Sequence, residues 1–443
     1  MTFSDIAPTR QHVVASHSAM GGQVAWIFSG PVGTRRRTAL SASTAIGIPE
    51  VVATDGTYVK VARHEKLTYG TMVFVRVTLV MEAAFNLAKA ATIAVRYSAV
   101  RRQSQPKPGE PEPQILDYPT QQHKLFICIA TAHALQLTGL WLWRTFEAVL
   151  ADMRKGNTDS LPELHALSSC LKAVSTSDSA ALIEQCRFAC GGHGYMMSSN
   201  LPLLYSFVTA TRTYEGDYTV LLLQTARFLV KAWEQAESGK VLTPTVAYLA
   251  STAAKEKAVW SDSADGMIRS FQAVAAGKIA ACSENIKRLT KTGMSLEDAW
   301  QLSTVRLVAA SEAHCRAMIC QAYWHEVTRL TASCSANVKL VMEQLASLYL
   351  VYWALEFTGD LLRILHSTLG AYDGRVYERL MAEALKSPLN EHLFSRILHS
   401  TLGAYDGRVY ERLMAEALKS PLNETSVQSS FHKYIKPLAK GKL

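Results

Sequence analysis

From Lys66 onward the apolar positions recur at helical spacing, and the alternation that marks strands is scarce after residue 60. Thr71 to Arg102 is a long run rich in Ala and Val, suited to a buried helix. Pro106, Pro108, Pro111, Pro113 and Pro119 then interrupt the pattern and predict an extended surface loop. A helix over 120–155 follows. Its centre, Leu125 to Trp143, is the most apolar stretch of the chain and approaches membrane-spanning length, yet it contains His133, Gln136 and Gly139. Polar groups at mid-span are costly in lipid, so this run reads as a buried bundle helix, and no membrane span is expected. Ser160-Leu-Pro-Glu163 has the form of a capping box with Pro in the first turn. The helix it starts runs to about Cys190, where Gly191-Gly192 stops it. Asp217 and Thr219 can cap a further helix through Val220 to Ala236. Long antiparallel helices with such connections make a four-helix bundle.

Ser238 to Pro244 reads as a linker, and a second helical region opens near Leu242. It contains Ala264 to Leu289, Ser295 to Thr331 and Ser335 to Phe357. The expected fold class is therefore all-α: two consecutive helical bundles, over 51–237 and 245–443, behind about 50 irregular residues. Residues 1–50 are rich in Ser, Thr, Ala and Gly, carry Arg35-Arg36-Arg37, and have only Asp5 and Glu50 as acids. That composition fits a mitochondrial transit peptide and equally a stretch never selected to fold. No secretory signal is present in it. Near the other end, Arg363 to Glu391 recurs unchanged as Arg396 to Glu424. Evolved repeats diverge and usually number three or more, so two perfect copies point to a recent duplication or a mis-assembled gene.

At 443 residues, 49% of them hydrophobic, the chain is long enough for two or three domains. The net charge of +9 invites a polyanion: nucleic acid, a CoA-type ligand or an acidic membrane. No nucleic-acid motif and no basic stripe interleaved with aromatics accompanies it. The excess sits in small clusters such as Arg101-Arg102 and Lys433, Lys436, Lys440 and Lys442, which read as a solvated basic surface, and nucleic acid is not an expected partner. Eight cysteines without a C-x-x-C pair or a zinc pattern imply no metal site and a reducing compartment.

The candidate chemistry lies in two short runs. Arg212-Thr-Tyr-Glu-Gly-Asp-Tyr-Thr219 places Glu215 in a Gly-bearing loop just before an apolar helix. Cys190-Gly-Gly-His-Gly-Tyr195 precedes it and lets backbone approach a flat or anionic ligand. A carboxylate in such a loop can be a positioned base, though an isolated Glu-Gly is more often a helix cap. His193 reads as a loop histidine without a role in proton transfer.

These runs join others in one order: Tyr97-Ser-Ala-Val-Arg-Arg-Gln-Ser104, Lys107-Pro-Gly-Glu-Pro-Glu-Pro-Gln-Ile-Leu-Asp117, Thr120-Gln-Gln122, Leu161-Pro-Glu-Leu-His-Ala166, Leu222-Leu-Gln-Thr-Ala-Arg-Phe-Leu229 and Ser311-Glu-Ala-His-Cys315. Together they closely resemble the peroxisomal acyl-CoA oxidases, from about Asp55 to Leu362 and again from Leu369 onward. The resemblance implies an FAD enzyme of fatty-acid β-oxidation, working as a homodimer, that oxidises acyl-CoA to trans-2-enoyl-CoA and reduces O2 to hydrogen peroxide. It implies that Glu215 is the catalytic base and that Arg101 and Gln103 reach the FAD diphosphate of the partner subunit. It also implies that Gly191 and Gly192 form the turn beside the cofactor, with Thr219 a hydroxyl near the flavin. The family's N-terminal helical domain and nearly all of its β-domain find no match, so the resemblance is to an N-terminally truncated, C-terminal helical half. A helical stretch is also missing after Leu362. Tyr218 stands where the family usually has Asn. Gly441-Lys-Leu443 is a weakened form of the peroxisomal Ser-Lys-Leu address, and it leaves a mitochondrial or cytosolic location as the alternative. Two readings remain open: an oxidase, or a catalytically inactive helical fragment that dimerises or binds an oxidase partner.

Overall fold

The computed structural model describes residues 50–52, 58–60, 69–256 and 258–361. The described residues fall into two units that divide between Phe74 and Val75. The first contains a small antiparallel hairpin, β1 (Glu50–Val52) and β2 (Tyr58–Lys60), with Val51 opposite Val59. The first helix begins at Tyr69, close to the expected start at Thr71. The repeat over 363–391 and 396–424, the first 49 residues and the C-terminal Gly-Lys-Leu lie outside the described residues.

The second unit is helical. Its elements are α1 (Tyr69–Val100, in this unit from Val75 onward), α2 (Pro119–Arg154), α3 (Leu161–Ala189), α4 (Leu201–Thr211), α5 (Tyr218–Glu237), α6 (Leu249–Ala253), α7 (Ala264–Lys291), α8 (Leu296–Thr331) and α9 (Ala336–Glu356). The proline-rich segment between α1 and α2 is exposed and extended, as its composition predicts, and closes on itself through an Arg102–Gln114 bridge. α3 starts where expected but not by the expected device. Ser160 is already in helical conformation and its hydroxyl caps nothing. Pro162 removes one of the N–H groups that a cap serves, and Glu163 is drawn elsewhere: its Oε1 accepts from Thr245 N at 2.7 Å and Thr245 Oγ1 at 2.6 Å. At α5, Asp217 is the cap, accepting from Val220 N at 2.8 Å, and Thr219 lies exposed inside the first turn.

One core joins α1 to α4. Leu87, Ala90, Ala91 and Ala94 of α1 meet Leu125, Cys128 and Ala132 of α2, Ala180, Ile183 and Cys186 of α3, and Leu204 and Val208 of α4. The small residues of α1 allow helix axes to approach closely while burying area at about 25 cal/mol per Å². A second core runs from Leu229 and Trp233 of α5 to Ile279 and Ile286 of α7 and Leu307 of α8. The two helical stretches are tied together by a buried knot. Arg316 of α8 grips Asp178 of α3 with both terminal nitrogens, at 2.6 and 3.1 Å, and donates to Tyr349 Oη of α9 at 3.0 Å. Its guanidinium also stacks on the Trp353 ring. By length and composition α2, α9 and Met72–Val100 are apolar enough to cross a membrane. In α2 the apolar side chains from Leu125 to Val149 largely face neighbouring helices.

Candidate active site

The short link from α4 to α5 bends sharply. Glu215 and Gly216 both have positive φ, 59° and 108°. At Gly216 the conformation needs glycine twice over, since a Cβ there meets Leu221 Cδ2 at 2.6 Å. Glu215 has no such licence, and a side chain in the left-handed region persists only where its surroundings enforce it.

Two buried cations do so from behind. Arg76 of α1 donates through Nε to the backbone carbonyl of Glu215 at 3.1 Å and through Nη1 to Ser169 Oγ of α3 at 3.1 Å. Lys172, one turn further along α3, donates from Nζ to the carbonyl of Gly216 at 2.5 Å. Arg76 is 2% exposed and Lys172 fully buried. Burial first, and then repulsion from Arg76, pull the Lys172 ammonium down to about 8 against the attraction of Glu215 and Asp217. Burial also lowers Arg76, with Glu215 opposing. Each cation donates to a carbonyl oxygen of the turn, and neither hydrogen-bonds the Glu215 carboxylate. Glu215 Oε2 is buried and without a hydrogen-bond partner among the described residues. Next to it, Tyr218 is half-buried; burial, then the nearby Glu312 carboxylate of α8, push its phenol up.

Arg101, Gln103, Gly191 and Gly192 come together elsewhere. They line a cavity of about 700 Å³ with Tyr97 and His193. The end of α3 is pinned there by Gln121, whose Nε2 donates to Ala189 O at 2.7 Å and to Ser98 Oγ at 2.9 Å. The glycine turn follows, and a Cβ at Gly194 falls 2.0 Å from Arg187 O, so only glycine lets the turn fold back on α3. Gly191 and Gly192 instead face open space. His193 Nδ1 lies 2.9 Å from the Tyr97 hydroxyl, a pairing that gives the ring a local partner. Arg101 is exposed on the cavity wall. The sequence-predicted residues thus form two places, with Thr219 beside the first. The distance from Lys172 to Cys190, at the end of α3, is about 27 Å at about 1.5 Å per residue.

Arg76, Ser169 and Lys172 were not legible as site residues. A signal did exist: each cation is the lone Asp, Glu, Lys or Arg in its stretch, Arg76 between Lys66 and Glu82, Lys172 between Glu163 and Asp178. Isolated cations in apolar helices are buried only when paired. Among the described residues no three His, Cys, Asp or Glu side chains gather as a metal site.

Comparison with known proteins agrees in both halves. The family model for the acyl-CoA oxidase C-alpha1 domain matches residues 69–230, and the model for acyl-CoA oxidase matches 263–364, 363–396 and 392–440. Acyl-coenzyme A oxidase 1 of Drosophila melanogaster is 44% identical over 432 residues, covering 88% of this chain and 60% of that protein. Peroxisomal acyl-coenzyme A oxidase 1 of Homo sapiens is 41% identical over 389 residues, covering 77% and 58%. Acyl-CoA oxidase-2 of Caenorhabditis elegans, solved with FAD, ascaroside-CoA and ATP, superposes with a TM-score of 0.67 at 37% identity, over 89% of this chain and 59% of that one. Arabidopsis thaliana acyl-CoA oxidase 1 gives 0.68 at 32% identity, over 89% and 61%. The chain spans about 60% of the length of the relatives it matches. It belongs to the acyl-CoA oxidase family.

Proposed function

We propose that the chain forms the helical part of an FAD-dependent acyl-CoA oxidase of peroxisomal fatty-acid β-oxidation, with Glu215 as its base. The observation that supports this most is the buried, unpartnered Oε2 of Glu215 on a backbone held by two cations. A thioester α-proton is too weakly acidic for water to remove, and a positioned carboxylate with a free oxygen is the group for the task. Glu215 takes that proton at its carboxylate.

The residues present fit FAD. Gly191 and Gly192 open backbone onto a cavity of about 700 Å³, and Arg101 and Gln103 offer it a bidentate cation and an amide. These four would hold the diphosphate end, and the Thr219 hydroxyl lies exposed beside the base. When bound, FAD would supply the two-electron acceptor that side chains lack, for an overall conversion of acyl-CoA and O2 to trans-2-enoyl-CoA and H2O2. The points of α3 beside the base and beside the diphosphate residues are about 27 Å apart, which favours a homodimer in which each chain serves both cofactors. The named relatives support a peroxisomal location. The burial of most of the apolar window of α2 supports reading it as a bundle helix rather than a membrane span.

Glu215→Gln tests the reading, because it keeps the shape and removes the basicity. We expect peroxide production from a long-chain acyl-CoA to fall by roughly 10²-fold or more, with flavin absorbance unchanged. Peroxide above about a tenth of wild type removes Glu215 from the role. Protein that takes up no flavin and makes no peroxide is instead the inactive helical fragment.

A further inference from the structure

We propose that Lys172 is a positioning residue for the base: with Arg76 and Ser169 it clamps the Glu215–Gly216 turn in its left-handed form and so aims the Glu215 carboxylate. The proposal rests on the reading of Glu215 as the base.

Two successive carbonyls accept from two cations on different helices. Arg76 holds Glu215 O from α1, and Lys172 holds Gly216 O from α3. Fixing both carbonyls fixes two successive peptide planes, and thereby φ and ψ at Gly216 and the exit direction of the Glu215 side chain. Arg76 is itself oriented by Ser169 Oγ, one turn before Lys172 on α3. The turn is therefore read from one rigid ledge formed by α1 and α3 rather than from the loop's own preferences, which for Glu at φ 59° are unfavourable. A purely structural lysine would be expected to bond a carboxylate or reach water. Lys172 does neither: it is fully buried and its hydrogen bond goes to the loop. That is a costly use of a charge unless the loop's geometry needs it. The groups that face it are Arg76 from α1, Glu215 from the turn and Asp217 at the start of α5. Burial brings its ammonium to about 8, so the clamp is charged at neutral pH.

The arrangement also separates two jobs. A cation hydrogen-bonded to the carboxylate would hold the base but occupy its lone pairs. A cation bonded to the backbone holds the base while leaving Oε2 open, as observed.

The test is Lys172→Met in the full chain, which keeps length and apolar stem and removes the donor. Amide hydrogen exchange is measured across 212–220 and across α3 and α5. We expect exchange to rise in the turn while the helices stay protected. With acyl-CoA, kcat should fall about 10- to 100-fold, since about 1 Å of misplacement costs on that order, with KM and flavin content little changed. Exchange in the turn equal to wild type overturns the clamp whatever the activity. Faster exchange with kcat within about threefold overturns the positioning role. Should the Met variant not fold, Ser169→Ala loosens the clamp through Arg76 at the loss of one hydroxyl. We then expect an intermediate rise in turn exchange and a few-fold fall in kcat, and no change in either overturns the proposal. Glu215→Gln distinguishes the two readings, because it leaves the clamp intact and its turn exchange at the wild-type level. If that variant remains active, the base assignment fails while the exchange result on Lys172 still stands.

Discussion

His314 of α8 is 1% exposed, with Nδ1 2.8 Å from the Tyr248 hydroxyl. Burial alone pulls its imidazole down to about 4, from 6.5 in the unfolded chain. Between those values the unfolded state binds the proton that the folded state refuses. The stability contributed by neutral His314 is thus complete above pH 6.5 and is lost as pH falls toward 4, at most about 3 kcal/mol in all. We expect urea midpoints of His314→Gln to vary less over pH 4.5–6.5 than those of wild type, by up to about 1.4 kcal/mol per pH unit. Equal slopes would show that His314 does not carry the acid limb. At this scale the sequence was legible where chemistry sits in a contiguous run. Glu215-Gly216 and Gly191-Gly192 could be singled out as candidates because their neighbours travel with them. Arg76 and Lys172 could not, because what makes them site residues is a fold that lays α1 and α3 under one turn.

Among the elements, long helices were legible from spacing alone, and α2, α3, α7, α8 and α9 lie within a few residues of their expected bounds. α4 was not expected. It has eleven residues, and its apolar side chains point both ways, Leu204 and Val208 inward and Leu203 and Phe207 outward, so no polar face marks it. The capping box at Ser160 misled because both of its ends had other geometry: Ser160 entered the helix already wound, and Glu163 bonded Thr245. Pairings between elements were beyond reach, and the Asp178–Arg316–Trp353 knot is the strongest of them. Asp178→Ala should cost about 3–5 kcal/mol, because it leaves a guanidinium buried without its partner. Adding Arg316→Met should recover much of that loss. Chemical denaturation of the two variants measures both numbers. A double variant no more stable than the single one would mean that the knot's worth lies in packing rather than in the charge pair.

At the scale of the whole molecule, the two candidate places lie well apart on the chain. Glu215 lies near the start of α1 and beside the middle of α3, whereas Arg101, Gln103 and the glycine turn lie at the far ends of the same helices. Around that far end the surface is apolar. Phe188 is 66% exposed and Tyr195 79%, and Met197, Leu203 and Phe207 stand out with them. Leu203 and Phe207 are four apart on α4 and therefore share a face. Under the homodimer proposed above, a second copy of the chain would cover this apolar surface where it borders the cavity and its exposed arginine. Two charges on that face should oppose pairing without touching a core: Leu203→Glu with Phe207→Glu leaves Leu204 and Val208 buried as they are. In sedimentation velocity we expect wild type at twice the chain mass and the double variant at the chain mass, with helicity unchanged. We further expect the variant to lose most of its flavin, although Arg101, Gly192 and Glu215 are all intact. A monomeric variant that keeps stoichiometric flavin would show that one chain holds the cofactor by itself. Wild type that runs as a monomer would remove the dimer from the scheme and leave the apolar face of α4 to another partner.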